Sequence, residues 1–231
     1  MPKDDFINNC WYQNVCGFAE GNPCSATTTC PRYLEMEYLM QNSGLPRCKQ
    51  SPIMLELLDV EDKQAYNRLA CIKKDIFDFV SSGSNLIIAS KHTGNGKTSW
   101  AIKILLKYFD EVWSGNGFRV RGLFVHVPTL LLQLKDFNNP LSNQYKQDLL
   151  NADLVVWDDI CSVSISEYDY SQLLLYLENR LFNEKSNIFT SNIDNKEDFN
   201  DALGAKLTSR IWNTSELIIF KGTDKRALKG A

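Results

Sequence analysis

The sequence predicts an α/β fold in which a parallel sheet is flanked by helices. Three observations carry that reading. From residue 86 to residue 220, short apolar runs of strand type alternate with helical patterns, as strands joined by helical crossovers do. The first run, 86–90, leads into a glycine-containing turn, a Lys-Thr pair and an apolar helical pattern. The third run ends on two consecutive aspartates.

Taken in order, residues 32–43 (RYLEMEYLMQNS) place apolar side chains at Tyr33, Leu34, Met36, Tyr38, Leu39 and Met40. This predicts a short amphipathic helix, closed by Gly44 and Pro46. Core packing is the first reading of this helix; its place next to a cysteine-rich segment gives a second, in which Tyr33, Met36 and Met40 face a partner. A linker is expected over 45–51. A helix is then expected from about 61 to 80, with Ala65, Leu69, Ile72, Ile76 and Phe79 on one face. The first strand is 86–90, and the helical pattern behind its turn covers 100–108. Residues 122–127 (GLFVHV) read as a second buried strand, after which Pro128 opens a helix bearing Leu130, Leu131 and Leu134. A loop at 137–143 leads to a short helix that ends near Asn151. The third strand is 152–157, and a long helix covers about 169–183. The fourth strand is 187–190, a helical stretch spans 196–212, and the fifth strand is 216–220.

Composition bounds the function classes. At 231 residues the chain has room for one sizeable domain and a small appendage. A net charge of −3 excludes a protein basic all over, so any nucleic-acid contact must be local. No apolar run approaches the length of a membrane span. The opening residues, MPKDDFINNC, lack the apolar stretch of a secretory signal, so cytoplasmic residence is expected.

The segment LIIASKHTGNGKTS has the order of strand, glycine loop, Lys-Thr and helix that a phosphate-binding P-loop requires. Gly94 and Gly96 let backbone N–H groups close round an anion, and the helix N-terminus adds donors and a positive dipole end. Thr93, Gly94, Asn95, Gly96, Lys97, Thr98 and Ser99 are therefore the expected nucleotide-binding residues. Lys97 is expected on the β- and γ-phosphates and the Thr98 hydroxyl on Mg²⁺. Lys91 stands where the motif has its first glycine, so it must fit the start of the loop without strain. In LVVWDDI, a buried strand delivers Asp158 and Asp159 to the carboxyl edge of the sheet, where such folds bind ligands. Asp158 is expected on the Mg²⁺ hydration shell, and Asp159 as the carboxylate that orients the attacking water. Asn192, in the Thr190-Ser191-Asn192 run after the fourth strand, is expected at the γ-phosphate or that water. Arg210 is the candidate finger that reaches a neighbouring chain's nucleotide, and Arg226 a candidate second sensor. Each of these two arginines reads equally well as a solvated surface residue.

Four of the seven cysteines crowd the first 30 residues: Cys10, Cys16, Cys24 and Cys30, spaced C-x5-C-x7-C-x5-C. A loop-rich segment this short cannot bury a core alone, and a bound metal would supply the missing folding energy. Zinc is the first choice, an iron–sulfur cluster the second, and a module without metal the third. Cys48, Cys71 and Cys161 read as small apolar residues.

The motif order TGNGKTS, VVWDDI, TSN, LTSRI and TDKR resembles that of the AAA+ ATPases that load bacterial replicative helicases, the DnaC/DnaI type. The resemblance covers roughly residues 50–231, and its most specific part is the closing LTSRIW…ELIIFKGTDKR with no helical lid domain after it. It implies a five-stranded P-loop AAA+ domain at 49–231, preceded by a cysteine-rich, metal-binding module at 1–48 that grips the helicase. It also implies ATP and Mg²⁺ as ligands, single-stranded DNA and the replicative helicase as partners, and a homo-oligomer assembled through the ATP interface. The small size and Lys91 suggest a phage or mobile-element version. The competing readings are a transposition helper ATPase of the IstB type, a P-loop small-molecule kinase, and a nucleotide-binding scaffold that scarcely turns over.

Overall fold

A computed structural model describes residues 30–49, 60–114, 117–136 and 141–222. Its elements are α1 (Pro31–Gln41), α2 (Lys63–Lys74), α3 (Ile76–Ser81), β1 (Asn85–Ala89), α4 (Lys97–Val112), β2 (Gly122–His126), α5 (Val127–Lys135), α6 (Asn143–Asn151), β3 (Leu154–Asp158), α7 (Glu167–Phe182), β4 (Ser186–Ser191), α8 (Lys196–Leu203), α9 (Ala205–Trp212) and β5 (Ser215–Ile219). Short 3₁₀ turns occupy Arg47–Lys49 and Val60–Asp62.

The five strands form one sheet in the order β2-β3-β4-β1-β5, and every pairing is parallel. β4 is thus inserted between β1 and β3, and the strand ends at Ala89, Ser191, Asp158 and His126 line up along one edge. Parallel strands require crossovers, and the helices that supply them cover both faces. Alternate side chains sort to the two faces, as the two-residue period demands. Leu86, Ile88, Leu154, Val156 and Ile188 pack with α1 to α4. Ile87, Ala89, Val155, Trp157 and Phe189 pack with α5 to α9. β5 lies at an edge of the sheet and is only partly covered, and Arg68 of α2 grips its Glu216 at 2.6 Å.

Two expected helices are each two helices. The 61–80 pattern breaks at Asp75, whose backbone leaves the helical region and whose N–H closes α2 on Cys71 O at 3.0 Å. Ile72 and Ile76 stay buried on one stripe across the break, so periodicity alone does not register it. The 196–212 pattern breaks at Gly204, with φ at +79°, where a side chain would meet the Tyr170 ring at 3.2 Å. Strand edges also shift. Ala152 caps α6 instead of opening β3, and Val127 belongs to α5, not β2.

Helix α1 begins with Pro31 in its first turn and lies on α4. Arg32 pairs with Asp110 and stacks 5.4 Å over the Trp113 ring. The Phe124 N–H donates to Ser43 O at 2.6 Å, joining the chain after α1 to β2. Met36 and Met40 are buried in this layer, as the core-packing reading has it and against the partner-facing one, and Tyr33 is half-buried. Cys48 and Cys71 are exposed, not core residues, whereas Cys161 is half-buried. Burial pushes the Cys161 thiol up to about 12, against a hydrogen bond with Ser191. Among the described residues, no helix is long and apolar enough to cross a membrane.

Candidate functional site

The turn after β1 closes on itself. Ser90 Oγ accepts the His92 N–H at 3.0 Å and the Asn95 side-chain amide at 2.5 Å. Gly94 and Gly96 take φ of +71° and +101°, values open to glycine at no steric cost. Asn95 and Lys97 are buried, while Thr93 is exposed and Gly94, Gly96, Thr98 and Ser99 are half-buried. The Lys97 ammonium donates to His92 O at 2.9 Å and to Asn95 Oδ1 at 3.4 Å, so it is held over the loop by acceptors of the loop itself. Lys91 is exposed, 3.7 Å from Asp194 Oδ1. It is not among the described residues with positive φ, so this loop does not need a glycine there.

The loop feeds straight into α4, whose first residues are Lys97, Thr98 and Ser99. Thr98 faces the end of β3, and its hydroxyl donates to Asp158 Oδ1 at 2.8 Å. Thr190, from the inserted strand β4, donates to the same oxygen at 2.7 Å. Asp158 is buried. Burial raises its carboxyl above the usual carboxylate range, the two threonine hydroxyls oppose that shift, and the charge of Asp159 adds to it.

Asp159 turns away from the strand with φ at +57°, a left-handed conformation that costs a residue with a Cβ free energy. Thr190 stabilises it from one side, since Thr190 Oγ1 also accepts the Asp159 N–H at 3.0 Å. Ser162 secures the other side, donating its hydroxyl to Asp159 O at 2.8 Å. The carboxylate is thereby set beside His126, whose Nε2 is 3.9 Å from Asp159 Oδ2. The other ring nitrogen, Nδ1, lies 2.8 Å from the Thr129 hydroxyl on α5. One ligand-type atom from each of His126, Asp158 and Asp159 falls within 4.8 Å of the others.

The structure therefore brings together the 93–99 turn, Asp158 and Asp159. Asn192 lies just past β4 and is half-buried; the hydroxyl that reaches the two aspartates is that of Thr190, two residues earlier. Arg210 stands exposed in the last turn of α9, with Nε 3.3 Å from Glu178 Oε1 of α7, a carboxylate shared with Lys206 at 3.1 Å. Cys10, Cys16, Cys24 and Arg226 lie outside the described residues, and Cys30 sits half-buried just before α1. Thr190, His126 and Thr129 were not assigned roles from the sequence. The signal for His126 was its position at the end of a strand; using it requires knowing that β2 is the neighbour of β3.

No protein-family model matches the sequence, and no curated protein matches it. Solved structures do match the fold. The DnaC helicase loader aligns with a TM-score of 0.61 at 20% identity, over 72% of this chain and 94% of that one. DnaI aligns with a TM-score of 0.61 at 20% identity, over 79% of this chain and 94% of that one. The replication initiator DnaA bound to AMPPCP and single-stranded DNA aligns with a TM-score of 0.55 at 16% identity, over 82% of this chain and 51% of that one. At these identities the likeness is one of fold alone, the fold that DnaC and DnaI share with this chain.

Proposed function

We propose that the chain is an ATP-hydrolysing DNA-replication protein of the helicase-loader kind. The observation that carries the reading is the 2.8 Å contact between Thr98 and Asp158. A hydroxyl at the start of the loop helix and a carboxylate at the end of β3 form the oxygen pair that a hard divalent cation prefers. Residues 93–98 would wrap the phosphates, and Lys97 would exchange His92 O and Asn95 Oδ1 for phosphate oxygens. Thr98 and Asp158 would hold Mg²⁺, which when bound neutralises charge on the β- and γ-phosphates. Asp159 would orient and deprotonate the attacking water, with Thr190 fixing the backbone between the two carboxylates. Asn192 would stand at the γ-phosphate. Arg210 would leave Glu178 to reach a neighbouring chain's nucleotide, so full turnover would need a homo-oligomer, and Arg226 would act as second sensor.

The partners belong to the same proposal: the replicative helicase and single-stranded DNA. Support comes from the fold shared with DnaC and DnaI and with a DnaA that holds AMPPCP and single-stranded DNA. Cys10, Cys16, Cys24 and Cys30 would carry zinc in the helicase-gripping module. The test is a pull-down of the host replicative helicase by the full chain, with and without ATP. ATP-dependent retention that disappears with Lys97→Ala is the expected result, whereas retention that ignores both ATP and Lys97→Ala contradicts the reading. Metal analysis of the same preparation is expected to find zinc near one per chain, and a metal-free protein removes the module from the proposal.

A further inference from the structure

Beside Asp158 and Asp159 stand His126 and Thr129, two residues to which the ATPase reading gives no role. Asp158 binds both threonine hydroxyls through Oδ1, and among the described residues no hydrogen bond engages its Oδ2. His126 sits across from it on the neighbouring strand, in direct register. Thr129 fixes the imidazole from the far side, through Nδ1. In the tautomer that donates from Nδ1, the Nε2 lone pair faces an Asp159 oxygen 3.9 Å away. That tautomer leaves Nε2 and a carboxylate oxygen open as two ligands for one cation, whereas the other tautomer puts an N–H there.

We infer that His126, Asp158 and Asp159 form a site for a divalent transition cation of the Mn²⁺ class, bound directly and without nucleotide. Atoms that share one ion at bond lengths of 2.0–2.2 Å stand roughly 3 to 4.4 Å apart. The 3.9 Å separation of His126 Nε2 from Asp159 Oδ2 fits that range, and the 4.8 Å limit on the three ligand atoms asks for only a small closure. A ligating histidine ordinarily gives its second nitrogen to a hydrogen-bond partner, which sets its tautomer and orientation; Thr129 occupies that place. One imidazole among carboxylates favours a transition ion over Mg²⁺. Such an ion would draw Asp158 and Asp159 together before ATP arrives, so the cation supplied would decide how the site is set for hydrolysis.

The inference goes beyond the ATPase reading, and its test avoids nucleotide so that the two fail separately. Mn²⁺ is the probe, because its oxygen and nitrogen preference keeps it off the cysteines. The full chain is titrated with Mn²⁺, with the unbound ion read by electron paramagnetic resonance, in the presence of a tenfold excess of Mg²⁺. One Mn²⁺ per chain is expected at the site. His126→Gln should weaken it at least about tenfold and Thr129→Val several-fold, in keeping with losses seen when ligands or their supports are removed. Because His126 is exposed, His126→Gln is expected to fold, and circular dichroism checks this. Equal affinity in the parent and His126→Gln, or displacement of Mn²⁺ by the excess Mg²⁺, overturns the inference.

Discussion

The two ends of the strands differ in how their polar groups are used. At the N-terminal ends, Arg180 of α7 is fully buried and donates to Asn187 Oδ1 and to the carbonyls of Leu149, Ala152 and Ser186, all within 3.0 Å. Asn187 in turn accepts from Trp157 Nε1 at 3.0 Å and donates to Asn85 Oδ1 at 2.8 Å. Nearby, burial pushes the Asp153 carboxyl up, but Lys185, Arg121 and Arg119 outweigh it and hold the group below the usual range. At the C-terminal ends, Asp158 is raised instead of lowered, Asp159 holds a left-handed backbone, and His126 stands exposed. One end is closed by mutual hydrogen bonding. The other holds a left-handed backbone and a buried carboxyl with a raised pKa.

The N-terminal ends of the strands are the more sensitive to substitution. Arg180→Met leaves several buried acceptors without a donor, so a loss of about 3 kcal/mol or more is expected in urea unfolding. A change within the noise would mean that those carbonyls find water instead. At the functional end, Asp159→Gly should do the opposite. Removing a Cβ from a φ of +57° should stabilise by about 0.5–1 kcal/mol. On the proposed function the same substitution also removes the carboxylate that would orient the attacking water, so single-turnover ATP hydrolysis should fall about a hundredfold or more. Loss of stability would show that Asp159 is a structural residue.

The smallest effect is a pH dependence. The Asp158 pKa is raised in the folded state, so its contribution to stability is full below the unfolded pKa and is lost as pH rises through the folded value. Asp158→Asn should therefore raise the melting temperature slightly at neutral pH, and the gain should vanish in the acid range. Asp153 has the reverse sign. Its contribution is present above the unfolded carboxylate pKa and is lost as pH falls through the depressed folded value. Asp153→Asn should destabilise at neutral pH and converge on the parent in acid.

Much of this was legible in the chain. Five parallel strands, the loop at 93–98 and the carboxylates at 158–159 follow from apolar runs, glycine chemistry and their spacing. What the periodicity could not resolve were the breaks at Asp75 and Gly204, because the apolar stripe of α2 runs on into α3 and a single glycine within a helical pattern is ambiguous. The contribution of β4 was also hidden. Thr190 meets Asp158 only because β4 lies between β1 and β3, and strand order is a non-local property. His126 was missed for the same reason, since its register partner Asp158 is 32 residues away along the chain and one strand away in space. The packing of Met36 and Met40 against α4 was hidden too, since an amphipathic stripe does not say which surface it covers.

On the proposed function, a triphosphate and its cation lie between Lys97 and the 158–159 carboxylates. Equilibrium titration of the full chain with a fluorescent ATP analogue in Mg²⁺ tests it most directly. Saturable binding that is lost in Lys97→Ala, with the fold intact by circular dichroism, is the predicted result. A parent chain that ignores the analogue, or a Lys97→Ala variant that binds it equally well, contradicts the claim.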